Sequence, residues 1–183
     1  MITDEQEQVV LVSELDEIVG RARKLEVHRT GQLHRAFSVL VLDDRGRVLL
    51  QRRAAMKYHS PRLWSNTCCG HPRPGERTAD AAERRLREEM GISCELVAVR
   101  KFTYRADLGA GLVEHEIDHI FIGRTTQAPR PDSAEVEAWR WLDTDELRMW
   151  LQLRPENFTA WFPAVFASLV PLHASVTSVT SLD

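Results

Sequence analysis

The feature that most constrains this fold is a glycine- and proline-rich loop that runs into a strongly helix-forming segment. The loop spans residues 60–75, and residues 78–90 consist mainly of Ala, Arg, Leu and Glu before Gly91. Those residue types favour an α-helix, and a glycine directly after the last turn is a common helix stop. Glu88 and Glu89 fall in that last turn, which puts carboxylate oxygens beside a concave loop. Such oxygens suit a hard divalent cation that holds a diphosphate, although a salt-bridged surface helix is the plainer alternative.

Short apolar and β-branched runs on both sides of this helix predict a sheet. They cover residues 9–12, 17–19, 36–42, 47–51, 93–104, 112–123 and 135–141. Asp43 to Gly46 has the composition of a hairpin turn, and Gly20 is expected to form another turn. Residues 21–27 and 143–150 predict short helical segments, and a last helix is expected to carry an apolar stripe from Phe158 to Leu169. Strands outnumber helices, which predicts an α+β fold with a mixed β-sheet flanked by helices.

Length and composition set the class of protein. With 183 residues the chain suits a single domain, residues 1–183, in which residues 1–6 and 174–183 are expected to be loose ends. A net charge of -3 gives no broad basic surface for nucleic acid, and no apolar run reaches the ~20 residues of a membrane span. Three cysteines cannot all pair off, and the first residues are acidic rather than basic. We therefore expect a reduced, cytoplasmic protein with a small-molecule substrate, and a monomer.

The loop and the helix resemble a known signature, the Nudix box: Gly-x5-Glu-x7-Arg-Glu-U-x-Glu-Glu-x-Gly-U, where U is a bulky aliphatic residue. The matching positions are Gly70, Glu76, Arg84, Leu86, Glu88, Glu89, Gly91 and Ile92. One position departs, because Arg85 stands where the signature has the glutamate of its Arg-Glu pair. Fewer carboxylates collect less metal, and a guanidinium can instead bind phosphate oxygens in a fork. The altered box therefore fits holding a diphosphate better than cleaving one.

Within that superfamily, the chain resembles the type I isopentenyl-diphosphate isomerases. The matching segments follow the family's order within residues 20–165 and are Leu33–Ser38, Trp64–Pro72, Tyr104–Ala106 and Glu114–Glu116. The resemblance implies a Nudix-like fold and the interconversion of isopentenyl and dimethylallyl diphosphate, with no organic cofactor. Such a reaction adds a proton at one end of a three-carbon unit and removes one at the other. An unconjugated alkene cannot stabilise a carbanion, so protonation to a tertiary carbocation is the accessible route.

Two pairs of potential metal ligands are each spaced two residues apart. Glu114 and Glu116 share one face of a predicted strand, and Cys69 and His71 have the same spacing. Imidazoles with carboxylates favour zinc or a first-row transition metal over calcium, although scattered histidines are more often structural. The resemblance implies one Mn²⁺ or Zn²⁺ ion held by three histidines and two glutamates: His28, His34, His71, Glu114 and Glu116. The histidines without such a match are expected to be structural; they are His59, His115, His119 and His173.

The resemblance assigns the proton transfers to Cys69 and Glu116. Cys68 is expected to be buried, whereas Cys69 lies in a loop beside cations, which would favour its thiolate. Tyr104 is expected to relay a proton or to bind the carboxyl group. Trp161 is the candidate for stabilising the carbocation through its π face, although an aromatic at helical spacing is usually part of a core. Starting from isopentenyl diphosphate, we expect Glu116 to protonate and Cys69 to deprotonate.

The diphosphate group needs cations around it. The resemblance assigns this contact to four basic residues, Lys24, Arg53, Lys57 and Arg85. Without the resemblance, each of them would be interpreted as a solvated surface charge. A second metal ion, Mg²⁺, is expected to bridge the phosphates, with Glu89 as its carboxylate ligand and assistance from the Cys69 carbonyl.

Two other functions stay open on the sequence. A Nudix diphosphohydrolase with the same fold would release phosphate, and both Arg85 and the pair of Cys69 with Glu116 argue against it. A non-catalytic, metal-stabilised binding module would keep its function without the Cys69 thiol.

Overall fold

The computed structural model describes residues 7–169, so the predicted loose ends, and His173 with them, lie outside the described residues. The strands are β1 Gln8–Val12, β2 Ile18–Arg23, β3 His34–Leu42, β4 Val48–Arg53, β5 Trp64–Ser65, β6 Cys68–Gly70, β7 Leu96–Gly109, β8 Leu112–Arg124 and β9 Val136–Leu142. The α-helices are α1 Lys24–Thr30, α2 Thr78–Met90, α3 Thr144–Leu153 and α4 Phe162–Phe166. Within 7–169, no helix has the length and apolar character that crossing a membrane requires.

Strand β3 lies at the centre of the sheet. It runs parallel to β8 along its whole length, from the pair His34 and Glu116 to the pair Leu42 and Arg124. Its other side pairs antiparallel with β1 and β6. Strand β7, which is longer than predicted, extends the sheet beyond β8, while β4 pairs with β5 and β9. The sheet mixes parallel and antiparallel pairs and has helices beside it, which confirms the predicted α+β architecture.

The predicted hairpin of β3 and β4 has its turn, but the two strands then separate. In the described chain they pair only at the residues next to the turn. The Thr67 hydroxyl, from the β5–β6 connection, donates to the Leu49 carbonyl at 2.6 Å and accepts from the Val41 amide at 2.9 Å. A side chain thus satisfies strand groups that a regular hairpin would have paired with each other. The stretch predicted as a loop, residues 60–75, therefore contains two short strands.

Two apolar clusters cover the two faces of the sheet. Phe37 and Leu86 belong to the cluster that joins β3 to α2. Leu40, Leu147 and Phe162 belong to the cluster that joins β3 to α3 and α4. Because successive side chains of a strand point to opposite faces, β3 contributes to both clusters. Each large side chain buried in this way contributes roughly 1.5–3 kcal/mol to folding, so the central strand is held firmly in place.

Helix α2 begins and ends where the sequence predicted, and Gly91 ends it. Gly91 has a φ of 64°, a left-handed conformation that side chains with a Cβ rarely adopt. A Cβ at this position would also lie 2.7 Å from the Arg130 carbonyl oxygen. The helix stop therefore requires glycine for two independent reasons.

The hairpin of β1 and β2 differs from the prediction. Gly20 does not form a turn, because it lies within β2 and pairs with Leu11. The turn instead spans Ser13 to Glu17, where the Ser13 amide donates to the Glu17 carbonyl at 2.9 Å and Asp16 has a φ of 66°. Aspartate adopts that left-handed conformation more readily than most residues, so the turn needs no glycine. Strand β2 extends into the predicted helix, and α1 begins later than expected.

The predicted last helix is broken into short segments. Pro155–Asn157 forms a 3₁₀ turn, Phe158 is extended, and Ala167–Leu169 forms a second 3₁₀ turn after α4. Pro163 lies in the first turn of α4, a position where proline is tolerated, but it disfavours helix in the turn before it. The apolar stripe is nevertheless buried in the cluster of α3 and α4. Helical periodicity identified the buried residues but not their backbone conformation.

Candidate active site

One cavity of about 670 Å³ collects most of the predicted site residues. Those that line it are Lys24, Arg53, Lys57, Cys69, His71, Arg85, Glu89, Tyr104, Glu114, Glu116 and Trp161. His28 and His34 do not line it, because both are fully buried behind it, with rings 5.6 and 5.0 Å from that of His71. The volume is within the range of small-molecule sites in proteins.

The register of the sheet places three polar side chains next to one another. His34 of β3 pairs with Glu116 of β8, and Glu116 pairs with Tyr104 of β7. Side chains of directly paired residues lie on the same face, so an imidazole, a carboxyl group and a phenol line up across three strands. Glu114 stands two residues before Glu116 and shares this face, as its spacing predicted.

Four buried groups converge beside Glu116, at and behind the wall of the cavity. One ligand atom from each of His28, His34, His71 and Glu116 lies within 4.8 Å of all the others. Glu116 Oε1 is 2.9 Å from His71 Nε2 and 3.2 Å from His34 Nε2. The Nε2 atoms of His28 and His34 are 3.3 Å apart. Three imidazole nitrogens and a carboxylate oxygen therefore face a common centre.

The hydrogen bonds behind the imidazoles test whether this cluster fits a metal ion. His34 Nδ1 is 2.9 Å from the Gln32 carbonyl oxygen, so in the neutral ring the proton is on Nδ1 and Nε2 presents a lone pair to the cluster. His28 Nδ1 is 2.8 Å from the Tyr58 hydroxyl. Burial, with repulsion from His71 and His34, lowers the pKa of His28 to about 3, so this ring stays neutral. Buried imidazoles oriented in this way fit a metal ion.

The predicted fifth ligand, Glu114, lies outside this group of four. The Tyr104 hydroxyl is 2.9 Å from Glu114 Oε2 and 2.6 Å from Glu116 Oε2. One hydroxyl proton cannot serve two carboxylates at once, so these three groups need a second proton. Burial and repulsion from Glu116 raise the pKa of Glu114 well above its ordinary value, so of the two carboxyl groups Glu114 holds a proton more readily. Glu114 is thus linked to the cluster through Tyr104.

Cys69 is half-buried on β6, where it pairs with Ser38 of β3. Burial raises the pKa of its thiol to about 12, against the opposing effect of Arg53. Three nearby carboxyl groups raise it further: Glu89, Glu114 and Glu116. The prediction of a thiolate was therefore wrong, because burial, together with the acidic neighbours, outweighs the cation and the thiol keeps its proton. Cys68 is fully buried in the cluster next to α2, as predicted.

Trp161 contributes an aromatic wall to the cavity. Its indole Nε1 donates to Asn66 Oδ1 at 3.1 Å, which fixes the orientation of the ring. The guanidinium carbon of Arg53 lies 5.5 Å from the ring centroid, over its face. Electron density on the face of an indole attracts positive charge, so this wall is already in contact with one cation.

His59, which no sequence pattern marked, also lines the cavity. Its Nε2 is 3.4 Å from Arg53 Nη2, its Nδ1 is 3.9 Å from Glu114 Oε1, and its ring meets Trp161 edge-on at 5.9 Å. Burial and Arg53 lower the pKa of His59 to about 2, so the ring is neutral. The sequence analysis expected His59 to be structural, whereas the structure places its ring in the wall of the cavity. In the sequence, only its position two residues after Lys57, a predicted diphosphate contact, could have indicated a place in the site.

The two remaining described histidines lie away from the cavity. His115 Nδ1 is 3.1 Å from the Gly31 carbonyl oxygen. His119 Nε2 is 2.9 Å from Asp16 Oδ2 in the first hairpin. Both contacts tie loops to the sheet, in keeping with the structural role expected for these residues.

The lysines predicted to contact a diphosphate are paired with carboxylates. Lys57 Nζ is 2.7 Å from Glu135 Oε2, and Lys24 Nζ is 2.7 Å from Glu7 Oε2. Burial acts in the opposite direction, but Lys24 and other cations lower the pKa of Glu7 to about 2. The sequence did not identify either acid, because a glutamate far along the chain carries no mark of its partner. Arg53 differs, since its buried Nε has no hydrogen-bond partner within residues 7–169.

Arg85 binds the carboxylates of the box itself. Its guanidinium is 2.9 Å from Glu88 Oε2, 2.6 Å from Glu89 Oε1 and 3.2 Å from Glu135 Oε1. Glu89 also accepts a hydrogen bond from Gln51 Nε2 at 2.8 Å. A glutamate at the position of Arg85 would add a negative charge, whereas the arginine neutralises those already present. The departure from the signature therefore reduces the net negative charge of the Nudix box.

Comparison with known proteins places the chain among its relatives. A model of the NUDIX domain matches residues 32–162, more than half of the chain. The chain is 52% identical over 159 residues to isopentenyl-diphosphate Delta-isomerase 2 of Aromatoleum aromaticum, covering 87% of this chain and 84% of the relative. It is 50% identical over 170 residues to the isopentenyl-diphosphate Delta-isomerase of Burkholderia multivorans, covering 92% of this chain and 97% of the relative.

Solved structures agree on the fold. DR0079 from Deinococcus radiodurans superposes with a TM-score of 0.67 at 20% identity, over 80% of this chain and 90% of that one. A MutT protein from Methanosarcina mazei Go1 gives a TM-score of 0.63 at 17% identity, over 77% of this chain and 95% of that one. At these identities the likeness concerns the fold alone, and the finer assignment comes from the curated relatives. The chain belongs to the Nudix superfamily and, within it, to the isopentenyl-diphosphate Delta-isomerase family.

Proposed function

We propose that this chain interconverts isopentenyl diphosphate and dimethylallyl diphosphate in isoprenoid biosynthesis. One observation carries the proposal: the Cys69 thiol, the Glu116 carboxyl group and the Trp161 indole line one cavity together with basic side chains. The first two can exchange protons, the third can stabilise a carbocation, and the basic groups can hold a diphosphate. The curated relatives that cover most of the chain carry the name of this isomerase.

The reaction needs an acid and a base on either side of a three-carbon unit. A proton is added to the terminal methylene carbon of isopentenyl diphosphate, and another is lost from the carbon next to the ester carbon. Tyr104, 2.6 Å from Glu116, would hold the carboxyl group in orientation. Burial raises the pKa of Cys69 to about 12, so the resting group is a thiol that carries a proton. The proposal therefore has Cys69 give a proton and Glu116 take one, which reverses the order expected from the sequence.

The cavity would stabilise the intermediate in two ways. Trp161 presents a π face, and the contact with Arg53 supports the capacity of that ring to hold a positive charge. The intermediate must also be kept from water, which would trap it as an alcohol. Trp161 and Glu116 are almost fully buried, which supports a site that excludes water around the reacting carbons.

We propose that Mn²⁺ or Zn²⁺ is held by His28, His34, His71 and Glu116, with Glu114 as the further ligand expected from the family. When bound, such an ion fixes the orientation of a carboxyl group and tunes its acidity. The three buried histidines and the carboxylate that faces them support this assignment. No organic cofactor is required by these steps.

We propose that the diphosphate lies among Lys24, Arg53, Lys57 and Arg85. Lys24, Lys57 and Arg85 each contact a carboxylate, which supports the idea that these cations can bind an anionic oxygen, as the diphosphate would provide. Mg²⁺ would accompany the diphosphate, because it prefers carboxylate and phosphate oxygens. Glu89 is the carboxylate proposed for it, assisted by the Cys69 carbonyl, and both residues line the cavity.

A Nudix diphosphohydrolase is the second candidate function. Hydrolysis of a diphosphate on this fold depends on the box carboxylates to collect metal ions and to activate water. Arg85 pairs with Glu88 and Glu89 at 2.9 and 2.6 Å, which leaves less negative charge for that purpose. The geometry therefore favours the isomerase.

Deuterium incorporation distinguishes the candidates. The chain is incubated with isopentenyl diphosphate, Mg²⁺ and Mn²⁺ in D₂O, and the products are analysed by NMR and mass spectrometry while phosphate release is followed in parallel. We expect dimethylallyl diphosphate with deuterium in the methyl group that forms from the terminal methylene. Cys69→Ala is expected to abolish this signal, and Cys68→Ala, which removes the neighbouring buried thiol, is the matched control.

Other outcomes decide against the isomerase. Phosphate release without deuterated dimethylallyl diphosphate would establish the hydrolase. Binding of isopentenyl diphosphate without turnover, unchanged in Cys69→Ala, would establish the binding module.

We also propose that the enzyme acts in the cytoplasm as a monomer and as a single domain over residues 1–183, without a nucleic acid or membrane partner. All three cysteines are free thiols, which supports a reducing compartment. Size-exclusion chromatography with light scattering tests the monomer directly.

A further inference from the structure

Asn66 has a buried carboxamide that uses every hydrogen-bonding position it has. Oδ1 accepts from Trp161 Nε1 at 3.1 Å and from Ser65 Oγ at 2.9 Å. Nδ2 donates to the carbonyl oxygens of Val39 at 3.3 Å and Cys68 at 2.5 Å. The side chain is fully buried and does not line the cavity, so it cannot touch a ligand there. An amide offers two acceptor and two donor positions, and all four are used here.

Two of these four bonds reach groups next to the proposed chemistry. The Cys68 carbonyl directly precedes Cys69 along β6, a strand of only three residues. The indole of Trp161 lies on the opposite side of the carboxamide, just before α4. A short strand and a single ring far apart in the chain are therefore held by the same planar group. The pairing of β6 with β3 holds the strand in the sheet, and the carboxamide adds a direct link from that strand to the indole.

We propose that Asn66 is a positioning residue, which sets the distance and orientation of the Trp161 indole relative to the Cys69 thiol. This role rests on the proposed function, because it needs that thiol and that indole to act on one substrate. Proton transfer and stabilisation of a carbocation both depend on placement within fractions of an ångström, and a shift of 1 Å can cost about 100-fold in rate. Of the four proposed diphosphate contacts only Arg53 touches Trp161, so substrate binding is expected to change less than the rate.

Thr67 offers a matched control in the same connection. It is also fully buried, and its hydroxyl bonds the Leu49 carbonyl at 2.6 Å and the Val41 amide at 2.9 Å. Neither of these partners is a proposed site residue. Thr67→Val removes the hydroxyl bonds and keeps the shape, so it reports the cost of loosening the connection without releasing the indole.

Steady-state kinetics separate the two roles. For Asn66→Ala we expect kcat to fall about 10- to 100-fold with KM changed less than about threefold, because only placement of the reacting groups is disturbed. For Thr67→Val we expect a lower melting temperature and a kcat within about twofold of the parent. If both variants lose stability and keep kcat to the same degree, Asn66 is structural and the inference is wrong.

NMR of the indole N–H groups provides a readout that does not depend on activity. The Trp161 signal is assigned by its absence in Trp161→Phe. In Asn66→Ala it should move upfield, since a hydrogen bond to a carbonyl oxygen is lost, and in Thr67→Val it should stay in place. In the unsubstituted protein this N–H should exchange slowly with solvent. Fast exchange there would overturn the inference even if Asn66→Ala does not fold.

The two levels of inference fail in different ways. An unsubstituted chain that incorporates no deuterium into dimethylallyl diphosphate contradicts the proposed function. An active chain whose Asn66→Ala variant behaves like Thr67→Val contradicts only the positioning role.

Discussion

Two groups of residues at the cavity, which we call the chemical end and the diphosphate end, are built from different kinds of structure. The chemical end consists of His28, His34, His71, Tyr104, Glu114 and Glu116. The diphosphate end consists of Lys24, Lys57 and Arg85 with their carboxylate partners Glu7, Glu89 and Glu135. The first is assembled largely by strand register, since three of its members lie side by side on β3, β8 and β7. The second is assembled by long side chains from helices and loops.

This difference affects what each end can do. At the chemical end every group except the half-buried Tyr104 is buried, and the backbone sets their positions, so their protons and lone pairs have fixed directions. At the diphosphate end each cation has an acidic partner that an incoming anion can replace. The chemical end is therefore suited to govern the rate of turnover, and the diphosphate end to govern affinity.

Glu116→Gln should produce the largest effect and sharpens this division. The amide keeps the shape and can still accept a hydrogen bond from Tyr104, but it can neither take nor give a proton. We expect kcat to fall by about 1,000-fold or more while the protein stays folded. Deuterium incorporation measures the rate, and circular dichroism with thermal melting measures the fold.

Glu137→Gln serves as the control, because Glu137 lies exposed on β9 and pairs with Arg52 at 3.0 Å, away from the cavity. Retained activity in Glu116→Gln would remove this residue from the mechanism. It would also contradict the proposed division of roles, since the chemical end would then not govern the rate of turnover.

Lys57→Met tests the other half of this division, the role of the diphosphate end in affinity. Methionine keeps the length of the side chain and removes the charge, so one contact to the diphosphate is lost while the reacting groups stay in place. We expect KM for isopentenyl diphosphate to rise about tenfold, with kcat within about threefold, as for an interaction made equally in ground and transition states. Arg52→Met, which removes a neighbouring ion-paired cation outside the cavity, should leave both constants unchanged. A fall of kcat alone in Lys57→Met would mean that the two ends are not separable.

The same division explains how much of the site could be predicted. Glu114 and Glu116 were placed on one face by their spacing on a strand, and the structure confirms that placement. The box loop and α2 were recognised from local sequence, and so was the substitution by Arg85. These features depend on short-range patterns, because a strand alternates every two residues and a helix every three to four.

The features that the sequence did not reveal depend on contacts distant in the chain. Glu7 and Glu135 neutralise the lysines, and the thiol of Cys69 keeps its proton because it is buried and because three acids gather around it from α2 and β8. His59 enters the cavity from a loop with no periodic pattern. These contacts join segments that lie far apart in the chain, so no single segment encodes them by itself.

The first hairpin also belongs to the diphosphate end, because Glu7 and Lys24 flank it, and Asp16 fastens its turn to the sheet. Asp16 accepts from Arg35 at 2.7 Å and from Lys101 at 2.8 Å. Burial alone would raise the pKa of Asp16, but these hydrogen bonds and His119 lower it below the ordinary value of 3.8. A lowered pKa stabilises the folded state above pH 3.8, and this contribution disappears as the pH falls through the native value.

Asp16→Asn should therefore give the smallest of the three effects, on stability rather than catalysis. Asparagine tolerates the left-handed backbone of this turn, so the substitution removes the charge without adding strain. We expect a loss of about 1 kcal/mol in the free energy of unfolding, constant between pH 7 and about 5 and shrinking below pH 3.8. Urea unfolding at several pH values measures it, with the exposed Glu156→Gln as a control that should change stability by less than about 0.5 kcal/mol.

A difference that already changes between pH 7 and 6 would assign the stabilisation to the charge on His119. Unchanged KM in this variant would show that the diphosphate end does not need the far turn of the hairpin to be fastened.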